Sequence, residues 1–261
     1  LLLRIPLLKR VKVMTVKSIF DFLFFFFPMT DAMDFDNVGI LIGDPEKEVK
    51  KALVCLDCTL EAIDYAKEKQ CDLIITHHPV IFSPLKKILR GSLQYELIAN
   101  NLSVISMHTN LDIGMDGVND SLCEVLGIED TENITAYDGY TVKLGTISPT
   151  DPCDLARHIK SKIGGCVKFT EGKSPISKVL VCGGSGGNYI EDAVRLGVDA
   201  LITADVKHHH FLIAYDNGIS LYDAGHFNTE DVVIEPLKEL LAKEFKNTEF
   251  FTFHSKAIKF E

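Results

Sequence analysis

The sequence has no surplus of positive charge. It sets 27 Lys and Arg against 37 Asp and Glu, a formal net charge of −10 over 261 residues. No Lys/Arg-dense stretch compensates locally. Affinity for duplex nucleic acid comes largely from neutralising phosphates, so nucleic acid is not an expected partner. Low-complexity tracts are missing too, and so is any apolar run near the ~20 residues a membrane-spanning helix needs. Residues 19–27 follow basic residues as the apolar part of a signal peptide would. Asp21 interrupts them, however, and no small-residue cleavage site comes after. A disulfide framework is lacking as well: the seven cysteines are odd in number, scattered, and set in apolar runs such as Val54-Cys55-Leu56. Reduced, buried thiols are distributed in this way, and a cytoplasmic location is expected. Cys55 and Cys58 have C-x-x-C spacing, but no second pair completes a zinc ribbon, so both are expected in a strand core.

What is present is enough apolar residue, 46% of the chain, for a real core. Residues 1–13 are basic and apolar without a pattern, and Met14 is the expected native start. They are expected to be a non-native or disordered extension. Residues 18–28 predict a first helix, apolar all round towards its end and therefore buried or at an interface.

The chain repeats itself. Leu53-Val54-Cys55 recurs as Leu180-Val181-Cys182, and Asp72-Leu-Ile-Ile-Thr76 as Asp199-Ala-Leu-Ile-Thr203, both at an offset of 127 positions. Each copy reads as a short strand, a helix (residues 60–70 and 189–197) and a second strand ending in Thr. A further helix follows in each (93–101 and 209–216), then a third strand. Strands alternating with helices predict parallel βαβ units. The expected fold class is α/β, with two similar lobes related by an internal pseudo-two-fold, spanning 14–130 and 131–261. The join is expected near 131–150, where apolar periodicity lapses. A long amphipathic helix over 230–245 and a tail strand over 249–254 end the chain.

Ligand sites in open α/β sheets form beyond the carboxyl ends of the strands. Four predicted strand ends carry metal-capable side chains: His77-His78-Pro79; His108 with Asp112; Asp205 with His208-His209-His210; and Asp223 with His226 and Glu230. Adjacent histidines in a turn diverge, so each suits one of two neighbouring ions. Pro79 holds His78 extended. A helix starting at Thr229 would place His226 just ahead of it and Glu230 in its first turn, where a carboxylate is favoured. Nitrogen and carboxylate donors together suit Zn, Fe, Mn, Co or Ni. Two such ions, about 3.5–4 Å apart, polarise a substrate and lower a bound water's pKa towards ~7. Each residue has a plainer reading. His77 and His78 fit a surface turn, His108 fits an orienting partner as well as a ligand, and His208 to His210 fit a solvated helix start. His158 and His254 read as structural or exposed. Gly183-Gly-Ser-Gly-Gly187 reads either as a phosphate cradle or as a tight structural turn. It lacks the Lys of a P-loop. Asp112 to Asp116 imitates a calcium loop, but Cys123 stands where the terminal Glu belongs.

Together these residues resemble the GTP cyclohydrolase I type 2 homologue family, also called the Nif-three-like family. The matching stretches are Asp36-Asn-Val-Gly39 with Gly43, Asp72 to Pro79, Ser106 to Asp112 with Asn119, Val181 to Gly186, Ile202 to Asp205, and Ala224 to Glu230, in family order from about Met14 to the end. The resemblance implies a two-lobed α/β fold with a dinuclear metal site between the lobes, and toroidal homohexamers. It implies His77, His78, Asp112, His226 and Glu230 as metal ligands for two divalent ions per subunit, with Glu230 bridging. Glu230 and His108 are the expected catalytic groups. The chain is a short form, without the inserted central domain of longer members. It departs from the pattern at Phe35, where Trp is usual, and at Phe24 to Phe27, where the helix end is normally more polar. Two functions are expected. One is a metal-dependent hydrolase of a small molecule such as a nucleotide, including GTP cyclohydrolase-like opening of a purine ring at C8. The other is a non-catalytic metal-binding regulatory or interaction protein.

Overall fold

A computed structural model describes residues 14–255 and 257–259. The reading of residues 1–13 lies outside them. The first half of the chain contributes strands β1 (Gly39–Ile42), β2 (Lys51–Cys55), β3 (Leu73–Thr76) and β4 (Ser103–Ser106). The second contributes β5 (Glu129–Thr135), β6 (Thr141–Thr150), β7 (Lys168–Thr170), β8 (Ile176–Ser185), β9 (Ala200–Ala204) and β10 (Ser220–Asp223), and β11 (Glu249–Phe253) comes last. They form two sheets, ordered β1-β4-β3-β2-β11 and β5-β6-β8-β9-β10-β7.

The repeat is visible in this order. In each sheet three consecutive strands run parallel, β2-β3-β4 and β8-β9-β10, and a short antiparallel strand flanks the third, β1 on β4 and β7 on β10. Parallel strands covered by helices on both faces read as near-continuous apolar runs, and every residue of β3, β4, β9 and β10 is buried. The molecule is an α/β fold of two lobes.

The lobes are interlocked. Helix Val118–Leu126 gives Val118 to the core over the first sheet and Leu122 and Leu126 to a core over the second. The chain's end crosses back: β11 pairs in parallel with β2, and Ile234, Leu237 and Leu241 pack with Val16, Ile19 and Leu23. The last helix and strand thus belong to the first sheet, although the 131–261 stretch includes them.

Three expectations are corrected. Residues 131–150 are not a loose join but the β5–β6 hairpin. β5 is an edge strand whose side chains are exposed except for the half-buried Ile134, so polarity hid it. The helix expected over 230–245 is broken into helix His226–Glu230, a 3-10 turn Asp231–Val233 and helix Ile234–Glu244. Pro236 explains the break, because proline fits only the first turn of a helix. The first helix runs Val16–Phe26, capped by the Thr15 side chain, and buries only one face. Phe25 on the other is 78% exposed. Among the described residues, no helix is long and apolar enough to cross a membrane.

Candidate metal centre

The paired histidines leave the carboxyl end of β3 in a tightly fastened turn. The His77 and His78 N–H groups donate to the Cys55 and Leu56 carbonyls at 3.2 and 3.0 Å, and the Thr76 hydroxyl donates to the His78 carbonyl at 2.9 Å. His108 follows β4, and Asp112 lies in the five-residue helix Thr109–Ile113 behind it. The Asn110 side chain clips this segment, accepting from the His108 N–H and donating to the Phe27 carbonyl. From the other sheet, helix His226–Glu230 follows β10, and both side chains belong to it, so it starts earlier than the expected Thr229.

These side chains meet. Glu230 Oε2 is 3.0 Å from His78 Nε2, 3.0 Å from His226 Nε2 and 3.7 Å from His77 Nε2. His77 Nε2 lies 3.4 Å from Asp112 Oδ1, and His78 Nε2 lies 3.3 Å from His226 Nε2. Three overlapping groups have the spacing of metal donors: His77, Asp112 and Glu230; His78, His226 and Glu230; and His77, His78 and His108.

Three of the imidazoles are aimed by carboxylates. Nδ1 of His78 donates to Asp57 at 2.7 Å, Nδ1 of His108 to Asp36 at 2.9 Å, and Nδ1 of His226 to Asp205 at 2.7 Å. This fixes each tautomer and leaves Nε2 free for the site, the usual backing of a metal-binding histidine. Asp57 carried no signal of its own in the motifs, yet it stands two residues past β2, at the same sheet edge as the other donors.

Burial makes the cluster electrostatically unusual. Burial by itself would lower His78, but its bond to Asp57 and the nearby Glu230 lift it to about 10. His226 rises to about 9 against the same opposition, through Glu230 and then Asp205. Burial pushes the Asp112 carboxyl up, and Glu230 adds to this against the pull of His77. Glu230 is also pushed up by burial, yet His77, His226 and His78 together hold it well below the usual range. Both nitrogens of His77, Asp112 Oδ1 and Glu230 Oε2 are buried without a hydrogen-bond partner. Buried polar atoms are normally paired, because leaving one unmade costs roughly 1–3 kcal/mol. Two carboxylates and three imidazole nitrogens converging in a buried cluster, with His77 and Asp112 Oδ1 unmet, fit a cation.

The glycine-rich turn serves this cluster by its smallness. Gly184 has φ +62°, and a Cβ there would lie 2.0 Å from Glu230 Oε1. The N–H groups of Gly183 and Gly184 already donate to Asn119 Oδ1 and Thr229 Oγ1. Both bonds suit the structural reading of that turn. The remaining histidines lie elsewhere. His210 is buried rather than solvated, with Nδ1 accepting from the Lys207 N–H at 3.3 Å. His158 bonds the Leu126 carbonyl, and His254 pairs with Asp231. A cavity of about 380 Å³ opens over the cluster.

The family profile of Duf34/NIF3 (NGG1p interacting factor 3) matches residues 14–259. The chain belongs to this family. A Clostridium acetobutylicum protein named GTP cyclohydrolase 1 type 2 homolog is 36% identical over 229 residues, covering 82% of this chain and 85% of its own length. A Streptococcus pneumoniae protein of the same name is 33% identical, with 84% and 86% covered. A crystal structure of a Staphylococcus aureus hypothetical protein superposes with a TM-score of 0.88 at 29% identity, over 95% of this chain and 100% of that one. The DUF34/NIF3 match spans both sheets and every residue of the cluster.

Proposed function

We propose that this chain is a dinuclear-metal-dependent hydrolase. In this reading His77, Asp112 and Glu230 would hold one ion, and His78, His226 and Glu230 would hold the second. The observation that carries it is Glu230 Oε2: buried and within 3.0–3.7 Å of three imidazoles. Two divalent ions from the set Zn, Fe, Mn, Co and Ni would supply Lewis-acid polarisation and an acidified water. The chain's own groups do the rest. Asp36 holds the Nδ1 proton of His108, so His108 Nε2 is the nitrogen that takes up or delivers a proton beside the reacting bond. Glu230, held charged by His77, His226 and His78, would serve the reaction by holding metal.

The relatives' name points to purine-ring hydrolysis, and GTP is the first substrate to try. The decisive experiment is elemental analysis of purified protein with a hydrolysis assay of wild type and Glu230→Ala. About two ions per chain and metal-dependent turnover, both lost in the variant, are expected. Turnover that persists in Glu230→Ala would end the proposal. A second reading, a non-catalytic metal-binding regulatory protein, is favoured by the cluster's donors coming from both sheets. A chelator-sensitive melting temperature with no turnover on any substrate class would select it. The exposed Phe25, Phe26, Met29 and Met115 support assembly into a homo-oligomer, which we propose is a hexamer. The reduced thiols support a cytoplasmic location.

A further inference from the structure

We propose that the molecule acted on at this centre is an uncharged, planar, nitrogen-containing ring of nucleobase size, and not a nucleoside polyphosphate. The inference rests on the hydrolase reading and narrows its substrate. It begins with charge. Among the described residues, those lining the cavity include no Lys or Arg, and they include three carboxylates, Asp112, Asp138 and Glu230. Two divalent ions would leave one net positive charge there, enough to meet a single developing negative charge. A triphosphate carries several. Divalent ions bind phosphate oxygens themselves, but the further oxygens of a triphosphate call for Lys, Arg or unengaged backbone N–H groups, and the N–H groups of Gly183 and Gly184 are already taken. In a partly enclosed site such charges are weakly screened, so excess negative charge is strongly penalised. Asp36, Asp57 and Asp205, behind the imidazoles, offset that single positive charge.

Aromatic surface stands where basic side chains would be. Phe35 lines the cavity and is 61% exposed, with Phe82 beside it at 6.3 Å between ring centroids. The Phe82 ring in turn meets His108 edge-on at 6.1 Å. Phe35 thus offers the cavity an exposed aromatic face on which a flat ring can stack. Across from the metal donors, Tyr140 and Tyr189 stack at 5.7 Å and 13°. They steady Asp138: Oδ1 accepts from the Tyr140 N–H at 3.1 Å and Oδ2 from the Tyr189 hydroxyl at 3.2 Å. A carboxylate has about four acceptor positions, so Asp138 can still accept from the N–H edge of a ring. The cavity, about 380 Å³, lies near the lower end of the ~300–1,000 Å³ typical of small-molecule sites.

Calorimetric titration of full-length, metal-loaded protein with guanosine against GTP, and hypoxanthine against inosine triphosphate, tests this. The uncharged member of each pair is expected to bind at least about tenfold more tightly, and Phe35→Ala and Asp138→Asn each to weaken it about tenfold. Metal content should not change in either variant. Tighter binding of the triphosphates, no binding of any ring, or indifference to Phe35→Ala would each overturn the inference. The hydrolysis assay of wild type and Glu230→Ala reads the hydrolase proposal and ring preference reads this one, so the two failures are distinguishable.

Discussion

His78 sits between Asp57 at 2.7 Å and Glu230 at 3.0 Å, and its imidazole can be neither turned nor withdrawn while both remain. Asp57→Asn removes the charge that fixes its tautomer. By the behaviour of such backing groups, metal affinity should fall about 10–100-fold, measured by competition with a chromophoric chelator. Asp205→Asn should cost less, because its carboxylate is 53% exposed. Gly184→Ala drives a methyl into Glu230 and should empty the centre while leaving the far-ultraviolet dichroism unchanged. The pH dependence of the metal-free protein follows from His78 and His226, raised from 6.5 to about 10 and about 9. A folded-state value above the unfolded one means that stabilisation is complete below about pH 6.5 and is lost as pH rises through 9 and 10. Metal requires the neutral imidazoles, so affinity should rise over the same window. The chelated protein should therefore melt progressively lower between pH 6.5 and 10, and a flat profile would contradict the assignment.

β3 and β4 could be read from sequence because each is a short buried apolar run that leads shortly into a histidine, His77 or His108. The helix after β2 was equally plain, ending at Gln70 in the left-handed conformation. β1, β7 and the β5–β6 hairpin could not be read. They are short or polar edge elements that owe their structure to the strand beside them, not to their own pattern. Most of the cluster was legible because strand ends collect donors; the roles of Asp36 and Asp57 were not, since what they orient is far away in the chain. The same limit hid the partner of β11. Its pairing with β2 joins Phe250 to Ala52, almost the full length of the described chain apart. Phe250 is 8% exposed and lies in the core with Phe245 and Leu241. Phe250→Ala should cost about 3–5 kcal/mol in denaturant unfolding. A loss under ~1 kcal/mol would mean that the tail strand is an ornament of the first sheet rather than part of its core.

The two sheets contribute unequally to one cluster: His77, His78 and Asp112 come from the first, His226 and Glu230 from the second. Opening either lobe therefore separates donors, so bound metal should stabilise the whole fold and not just a loop. Helix Val118–Leu126 enforces the same coupling through apolar contact, since it packs on both cores. Metal held about 1,000-fold above its dissociation constant contributes about 4 kcal/mol. For a protein of this size that corresponds to a melting shift on the order of 10 °C. A chelator should lower the wild-type melting temperature by that amount in one cooperative step, with both lobes unfolding together. Asp112→Ala and Glu230→Ala should shift little or not at all on chelation, having no complete centre to lose. Two separate transitions in the chelated wild type would show instead that the lobes are joined by the metal alone, and that the shared helix does not couple them.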